Sequence, residues 1–147
     1  SDAREDNVVA GLSMGGYGAF RHALAYPDRY AAAASLSGAL DVRQLQRPDR
    51  PQFGEEMTRI FGPLDQVAGS ENDLFELARR LVESRAPRPR LYQWCGTEDF
   101  LYQDNLCFRD HARKIGLEVA YSESPGGHSW ECWDSQIQRV IEWAGWK

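Results

Sequence analysis

Hydrophobic residues follow two alternating patterns along the chain: short, mainly apolar runs, and stripes that repeat every three to four positions. Short, mainly apolar runs bounded by turn-forming residues are typical of buried strands, and they occur at residues 7–11, 30–37, 91–95 and 117–122. The second run is rich in alanine and would equally suit a helix, but the glycine that follows it, Gly38, favours a strand. The pattern therefore predicts four strands.

The helical stripes lie between and after these runs. Residues 15–26 form a segment of small and apolar residues that Pro27 ends. Residues 72–83 carry leucines and an alanine at helical spacing, with Ser70 nearby as a candidate N-cap. A later stripe of Phe108, Ala112 and Ile115 predicts a helix that Gly116 ends. A last stripe predicts a closing helix, and its apolar members are Trp133, Ile137, Val140, Ile141 and Ala144.

Strands that alternate with helices predict the α/β class, with a parallel sheet of about four strands and helices flanking it. We expect an irregular excursion at about residues 39–89, between the second strand and the third. Residues 41–61 within it are rich in proline, arginine, aspartate and glutamine and show no clear period, so we expect irregular structure there. A chain of 147 residues is about one domain long.

Composition narrows the classes of function. Lys and Arg number 17 against 22 Asp and Glu, a net charge of −5, which argues against nucleic acid as a partner. No run approaches the ~18 consecutive apolar residues that indicate a membrane-spanning helix. The three cysteines, Cys95, Cys107 and Cys132, are scattered and odd in number, so we expect neither a disulfide framework nor a zinc site. Reduced thiols of this kind indicate a cytoplasmic protein.

The candidate nucleophile is Ser13, in the segment GLSMG between a predicted strand and a predicted helix. In this context the G-x-S-x-G pattern is typical of a sharp turn that lifts a serine hydroxyl clear of the sheet. Positions two before and two after the serine crowd together there, so we expect that only glycine fits at Gly11 and Gly15. Gly16, Gly18 and Ala19 would let the helix lie close to the strands. A serine that merely caps the helix is the ordinary alternative, and the flanking strand, helix and glycines favour the nucleophile.

A serine nucleophile needs a general base. Of the three histidines, His22 and His111 fall inside predicted helices, where surface or packing roles are usual. His128 lies in the loop SPGGHSW directly after the last strand. From the carboxyl edge of a parallel sheet, such a loop can carry an imidazole to Ser13, so His128 is the candidate base.

The carboxylate that orients the base is expected directly after the third strand, in the segment CGTEDFLY. Asp99 is favoured there, with its neighbour Glu98 as the alternative and Asp104 as a weaker one. The resulting chain order of serine, aspartate and histidine matches the α/β-hydrolase arrangement and differs from the orders in chymotrypsin and subtilisin.

These residues make the chain resemble the esterase D-like, tributyrin-esterase-type family of α/β-hydrolases. The segments GLSMGGYGAF, CGTEDFLYQDN and GGHSWECWD are similar to the nucleophile, acid and histidine blocks of that family. The resemblance covers essentially the whole chain and implies a serine carboxylesterase that hydrolyses short-chain acyl esters of small molecules. Its triad would be Ser13, Asp99 and His128, and the backbone N–H of Met14 would donate to the oxyanion. The resemblance implies neither a metal nor an organic cofactor.

Three different functions stay open beside the carboxylesterase. The related S-formylglutathione hydrolases usually have histidines where this chain has Leu12 and Tyr17, which counts against a thioesterase of that kind. The second is an acyltransferase on the same scaffold, similar to the mycolyltransferases, and the third is an inactive truncated fragment. Four aromatic residues near the candidate site in sequence are candidates for an acyl pocket, although core packing is more usual for such residues: Tyr17, Phe100, Tyr102 and Trp130.

The start of the chain departs from the family pattern. The first residue is Ser1 rather than Met, and only twelve residues precede Ser13. The resemblance implies earlier strands and a loop that supplies a second oxyanion-hole N–H. We therefore expect residues 1–147 to be the C-terminal part of a single α/β-hydrolase domain whose N-terminal strands are missing. Alone, such a chain is expected to be weak or inactive, and either to form a homo-oligomer or to need the missing N-terminal segment.

Overall fold

Four parallel strands form the centre of the molecule. The computed structural model describes residues 1–44 and 51–145. Its strands are β1 (Val8–Leu12), β2 (Ala32–Leu36), β3 (Arg90–Gly96) and β4 (Val119–Ser124). They lie in the order β1-β2-β3-β4, so each strand pairs with the next one along the chain. The predicted α/β class and the predicted sheet of about four parallel strands are confirmed.

Helices cover both faces of this sheet. The α-helices of the described residues are α1 (Met14–Ala25), α2 (Pro51–Phe61), α3 (Leu74–Glu83), α4 (Tyr102–Lys114) and α5 (Trp130–Ala144). Helices α1, α3 and α4 pack on one face around a large apolar core, and α5 packs on the other face around a smaller one. None of the described helices combines the length and the apolar character that a membrane crossing requires.

The alanine-rich run is the buried strand β2. All five of its residues are buried, and Ala33 belongs to the larger core whereas its neighbour Ala34 belongs to the smaller one. Alternation of this kind is the signature of a strand whose two faces are both covered. The prediction of a strand over 30–37 is confirmed, because pairing with β1 and β3 decides between two conformations that the alanines alone would both accept.

The interval between β2 and β3 is more regular than the sequence analysis predicts. Besides α2 and α3, its described part contains short 3₁₀ helices at Val42–Gln44 and Leu64–Gln66. Residues 45–50 of the interval lie outside the described residues. The prediction of irregular structure over 41–61 is therefore wrong for the part that forms α2.

Helix α2 forms because a few of its apolar side chains reach the main core. Met57 is buried, and the Phe61 ring packs edge-on against the Tyr17 ring with 5.5 Å between centroids. A proline at the first position, here Pro51, suits a helix start. The sequence of this helix does carry a helical stripe, with Phe53, Met57, Ile60 and Phe61 at i, i+4, i+7 and i+8, and the sequence prediction missed it among the many prolines and charged residues of 41–61.

The start of α3 and the end of α4 show which residues cap these helices. The N-cap of α3 is Asp73 rather than Ser70, and its carboxylate accepts a hydrogen bond from the Phe75 N–H at 3.0 Å. The Ser70 hydroxyl instead donates to the Val67 carbonyl in the turn before the helix. Gly116 follows α4 with a φ of 80°, so its predicted role at the end of that helix is confirmed.

The closing helix buries fewer apolar residues than its stripe predicts. Trp133 and Val140 of α5 are buried against β2 and β3, but Ile137 and Ile141 are 36% and 40% exposed. Helix α5 packs mainly over β2 and β3. An apolar groove of about 320 Å³, to which Ile137 and the exposed Trp130 contribute, therefore separates α5 from β1.

Candidate active site

Ser13 lies at the turn from β1 to α1, in a backbone conformation that side-chain-bearing residues rarely adopt. Its φ is 53° and its ψ is −123°. Hydrogen bonds to the end of β2 and the loop after it hold this conformation: the Ser13 N–H donates to the Leu36 carbonyl at 3.0 Å, and the Ser13 carbonyl accepts from the Ala39 N–H at 3.1 Å. The Ser13 side chain makes no capping hydrogen bond to α1. Its hydroxyl is therefore available to other groups above the sheet edge.

Glycine is required at two positions around this turn. A Cβ at Gly11 would overlap the backbone of Gly15, as the predicted crowding requires, and a Cβ at Gly16 would lie 2.5 Å from the Ser35 hydroxyl. The expectation is wrong for the other two glycines, because a Cβ at Gly15 or at Gly18 would meet nothing within 4 Å. Only a glycine at Gly11 lets β1 approach the start of α1 this closely, and only a glycine at Gly16 lets α1 approach β2.

Ser13, His128 and Asp99 form a continuous chain of hydrogen bonds at the carboxyl edge of the sheet. His128 Nε2 lies 2.9 Å from Ser13 Oγ, and His128 Nδ1 lies 2.9 Å from Asp99 Oδ2. With its proton on Nδ1, a neutral imidazole donates to the carboxylate and accepts the serine hydroxyl proton. The structure therefore brings together the three residues that the sequence predicts.

Burial differs along this chain of hydrogen bonds. The Asp99 side chain is inaccessible to solvent, and its second oxygen accepts from the Leu101 N–H at 2.8 Å. The His128 side chain is 22% exposed. The carboxylate is thus anchored inside the protein, and the imidazole extends from it toward the surface where a substrate can approach.

Glu98, the alternative carboxylate, has a different set of partners. Its carboxylate accepts hydrogen bonds from the Gly126 N–H and the Thr97 hydroxyl, and its own N–H donates to the Gly126 carbonyl at 3.1 Å. The bond from Gly126, and then that from Thr97, lowers the pKa of Glu98 below the ordinary value for a glutamate. Glu98 therefore joins the loop after β3 to the loop that carries His128, whereas the two imidazole nitrogens bond to Asp99 and Ser13.

Aromatic rings flank the imidazole of His128. The centroids of the Phe100 and Trp133 rings each lie 4.8 Å from that of His128, and Trp133 meets it at 90°. Trp130 is 72% exposed and packs edge-on against Trp133 at 5.4 Å. Of the predicted pocket residues, Phe100 and Trp130 lie at the site.

The other two predicted pocket residues lie elsewhere. Tyr17 is 5% exposed in the main core and donates its hydroxyl to the Asn72 carbonyl at 2.8 Å. Burial raises the pKa of that phenol to about 12. The Tyr102 hydroxyl donates to the Glu123 carboxylate on β4 at 2.9 Å. Tyr17 lies one turn into α1, where its side chain faces the core rather than the surface above Ser13. Its closeness to Ser13 in sequence therefore does not place it in the substrate pocket.

Sequence reasoning misses two further residues at the site, Trp133 and Ser37. Trp133 matches the apolar stripe of α5, and that pattern indicates only a core residue. Ser37, which follows β2, has no motif around it, and a hydrogen bond that its hydroxyl accepts from the Trp133 indole at 3.0 Å connects it to the site.

The start of α1 contributes backbone donors beside Ser13. Met14 is the first residue of α1, and the N–H groups of the first helical turn have no partner within the helix. The helix dipole adds partial positive charge at the same place. Across the described residues, no group of three or more His, Cys, Asp and Glu side chains is arranged to hold a metal ion.

The fold and this site together define a protein of the α/β-hydrolase class. More specifically, the chain belongs to the esterase family described as "Putative esterase", whose family model matches residues 1–143. The family that the sequence motifs suggest is thereby confirmed.

The individual relatives include esterases and other serine hydrolases, together with diacylglycerol acyltransferases/mycolyltransferases of mycobacteria, for example one of Mycobacterium leprae at 29% identity. The chain is 33% identical over 145 residues to an acetyl esterase of Caldicellulosiruptor saccharolyticus. This alignment covers 95% of the chain and 54% of the acetyl esterase. Among solved structures it is similar to an S-formylglutathione hydrolase, FrmB, of Staphylococcus aureus, with a TM-score of 0.84 and 36% identity. It is also similar to FphF, a fluorophosphonate-binding serine hydrolase of S. aureus, with a TM-score of 0.86 and 38% identity. Each match covers 98% of this chain and 56% of the solved chain. The chain thus spans about half the length of the relatives it matches.

Proposed function

We propose that this chain carries the reacting residues of a serine carboxylesterase, with Ser13 as nucleophile, His128 as general base and Asp99 as the group that orients the base. The observation that carries the proposal is the unbroken hydrogen-bond chain from Ser13 Oγ through the imidazole to the buried Asp99 carboxylate. Membership of the esterase family supports the same reaction type.

The first half of the reaction forms an acyl-enzyme. His128 Nε2 takes the proton of the Ser13 hydroxyl as Oγ attacks the ester carbonyl, and the carbonyl oxygen becomes an oxyanion. The N–H of Met14 donates to this oxyanion at the start of α1. The tetrahedral intermediate then collapses, the bond to the alcohol breaks, and His128 returns the proton to the departing alkoxide.

The second half releases the acid. A water molecule attacks the acyl carbon, His128 accepts its proton, and the bond to Ser13 Oγ breaks as that proton passes to the serine. The buried Asp99 stabilises the positive imidazolium in both halves, because its carboxylate lies 2.9 Å from Nδ1 and is shielded from water. In this mechanism His128 and Ser13 account for every proton that is transferred.

We propose short-chain acyl esters of small alcohols as the substrate class. The 33% identity to an acetyl esterase supports a short acyl group. Phe100 and Trp130 are the exposed aromatic residues at the site, so they are the candidates that contact the substrate. We also propose that residues 1–147 are the C-terminal part of an α/β-hydrolase domain, which fits their span of about half of each relative.

Covalent labelling tests the nucleophile directly. The purified chain is incubated with a fluorophosphonate, and intact-mass and peptide mass spectrometry identify the modified residue. We expect a single adduct on Ser13 that is lost in Ser13→Ala and kept in Ser135→Ala, a control at an exposed serine of α5. Labelling of Ser13→Ala at the rate of the unchanged chain would mean that another residue is the nucleophile.

A thioesterase of the S-formylglutathione hydrolase kind is the second candidate. The likeness to FrmB favours it, whereas the lack of histidines at Leu12 and Tyr17 counts against it. Rates with p-nitrophenyl acetate and with S-formylglutathione distinguish the two. We expect the oxygen ester to react faster, and a clear preference for the thioester would replace our proposal.

A further inference from the structure

The imidazole of His128 has one exposed and one buried aromatic neighbour. Phe100, on one side, is 45% exposed, whereas Trp133, which meets the imidazole edge-on, is 6% exposed. The two hydrogen bonds of His128 run through Nδ1 and Nε2 and so fix where these nitrogens lie. They leave the ring free to tilt about the line between them. The buried Trp133 restricts this tilt by packing.

A hydrogen bond holds Trp133 in turn. Its indole Nε1 donates to Ser37 Oγ at 3.0 Å, and both side chains are buried. The indole has only this one donor, and a buried donor without a partner is unfavourable. The bond therefore selects one orientation of the Trp133 ring beneath His128.

Ser37 is held in an unusual conformation that directs its hydroxyl toward Trp133. Its φ is 49°, and Ser13 is the only other non-glycine residue of the described chain with a positive φ. The Ser37 N–H donates to the Trp94 carbonyl at 2.8 Å. A left-handed conformation is unfavourable for serine, so the surrounding contacts must stabilise it. Conformations of this kind cluster at functional sites.

We propose that Ser37 and Trp133 are positioning residues that hold the His128 imidazole in the plane that joins Asp99 to Ser13. Ser37 orients the indole, and the indole restricts the tilt of the imidazole. The proposal rests on the proposed function, because it assigns these residues to the proton transfer from Ser13. Trp133 acts by packing on the imidazole, and Ser37 acts through Trp133.

The test compares variants of the 147-residue chain. Ser37→Ala removes the acceptor, Trp133→Phe removes the donor and part of the ring, and a double variant combines them. Trp143→Phe is the matched control, since Trp143 lies on the same helix but packs against Tyr92 and Arg90. Near-ultraviolet circular dichroism checks that each variant is folded.

Two measurements are made on each variant. The first is the rate of fluorophosphonate labelling of Ser13, separated into a maximal rate and an apparent affinity. The second is the ¹H–¹⁵N NMR signal of the His128 ring N–H, which reports the hydrogen bond to Asp99. We expect each single variant to lower the maximal rate about tenfold, less than the ~10²-fold that a 1 Å misplacement of reacting groups can cost. The affinity should stay unchanged, the His128 signal should shift, and Trp143→Phe should match the unchanged chain.

The double variant tests whether the two residues act together. If they act through one hydrogen bond, the double variant labels no more slowly than the slower single variant. A double variant whose fold-loss in rate equals the product of the two single losses would show that the two residues act independently. Ser37→Gly separates the hydroxyl from the backbone, since glycine accepts a φ of 49° without strain. We expect Ser37→Gly to be as slow as Ser37→Ala, and a rate like that of the unchanged chain would overturn the role of the hydroxyl.

Failure of the proposed function would look different from failure of this inference. A folded Trp133→Phe with unchanged labelling and an unchanged His128 signal overturns the positioning role while Ser13 remains the nucleophile. If Trp133→Phe does not fold, Ser37→Ala and Ser37→Gly decide the inference by the same criteria. If Ser13 of the unchanged chain is not labelled at all, the proposed function fails. The His128 signal of the variants then decides by itself whether Ser37 and Trp133 hold the ring.

Discussion

Asp99 and Glu98 are neighbours in sequence whose carboxylates have different surroundings. The Asp99 side chain is shielded from solvent and accepts from His128 and from the Leu101 N–H. Glu98 is exposed and accepts from Gly126 and Thr97. A carboxylate shielded from water interacts more strongly with a charge that forms on the imidazole. Asp99 is therefore suited to stabilise an imidazolium, and Glu98 is suited to hold a loop.

We expect Asp99→Asn to slow acylation of Ser13 by about 10⁴-fold, because an amide can donate to Nδ1 and so favours the wrong imidazole tautomer. Glu98→Gln keeps an acceptor for the Gly126 N–H, so its acylation rate should stay within about tenfold of that of the unchanged chain. This loss is much smaller than the ~10⁴-fold expected when the orienting carboxylate is replaced. Single-turnover release of p-nitrophenol from p-nitrophenyl acetate measures both. The opposite ranking would assign the orienting role to Glu98.

At the scale of elements, the site depends on close approach of backbones at the carboxyl edge of the sheet. Gly11 of β1 lies against the backbone of Gly15 at the start of α1, and Gly96 at the end of β3 lies against the Gly126 carbonyl. The first contact shapes the turn that presents Ser13. The second brings the loop after β3 against the loop that carries His128. These contacts set the geometry in which the three side chains meet.

A pair of glycine substitutions tests the contact at the turn. Gly11→Ala should lower the free energy of unfolding by roughly 1–3 kcal/mol, the usual cost of overpacking, because its Cβ would overlap the Gly15 backbone. Gly15→Ala is the matched control, since a Cβ there meets nothing within 4 Å. It should raise the free energy of unfolding by roughly 0.5–1 kcal/mol, as alanine favours a helix over glycine. Urea denaturation of both variants measures the difference, and equal effects would contradict the packing of this turn.

At the scale of the whole molecule, one side of the sheet combines an edge strand with an apolar groove. Among the described residues, β1 pairs only with β2, so its other side presents backbone donors and acceptors. The adjoining groove is lined by Trp130, Leu12 and Ile137. An edge strand beside an apolar surface favours pairing with another chain.

We therefore expect the purified 147-residue chain to self-associate as its concentration rises. Ile137→Lys should reduce the association by placing a charge in the groove, whereas Ile60→Lys, at an exposed position of α2, should leave it unchanged. Size-exclusion chromatography with light scattering measures both. A chain that stays monomeric at every concentration would contradict this prediction.

We also expect the same chain to be a slow esterase. The family resemblance implies a second oxyanion donor from an earlier loop, and loss of one such donor costs about 10²–10³-fold in kcat. Steady-state hydrolysis of p-nitrophenyl acetate, with the acetyl esterase of C. saccharolyticus as reference, measures the deficit. Turnover equal to that reference would show that the described residues supply all the donors that the reaction needs.

Local signals are enough for most of the fold and for the centre of the site. Runs such as 91–95 and breakers such as Pro27 and Gly116 act over a few residues, so they predict strands and helix ends without knowledge of distant contacts. The meeting of Ser13, Asp99 and His128 also follows from sequence, because the carboxyl ends of parallel strands share one edge of the sheet. What sequence leaves open at this edge is the choice between Asp99 and Glu98, which depends on the direction of each side chain.

The chain sequence by itself determined the α/β alternation, the family and the three residues proposed to react, since each depends on a short pattern or on strand order. Packing in three dimensions decided the rest. Met57 and Phe61 of α2 pack against a core built by distant segments, and Ile137 is partly exposed because α5 packs mainly over β2 and β3. Ser37 contacts Trp133 across 96 positions of sequence. A contact between residues so far apart leaves no periodic or local trace, so only the folded chain reveals it.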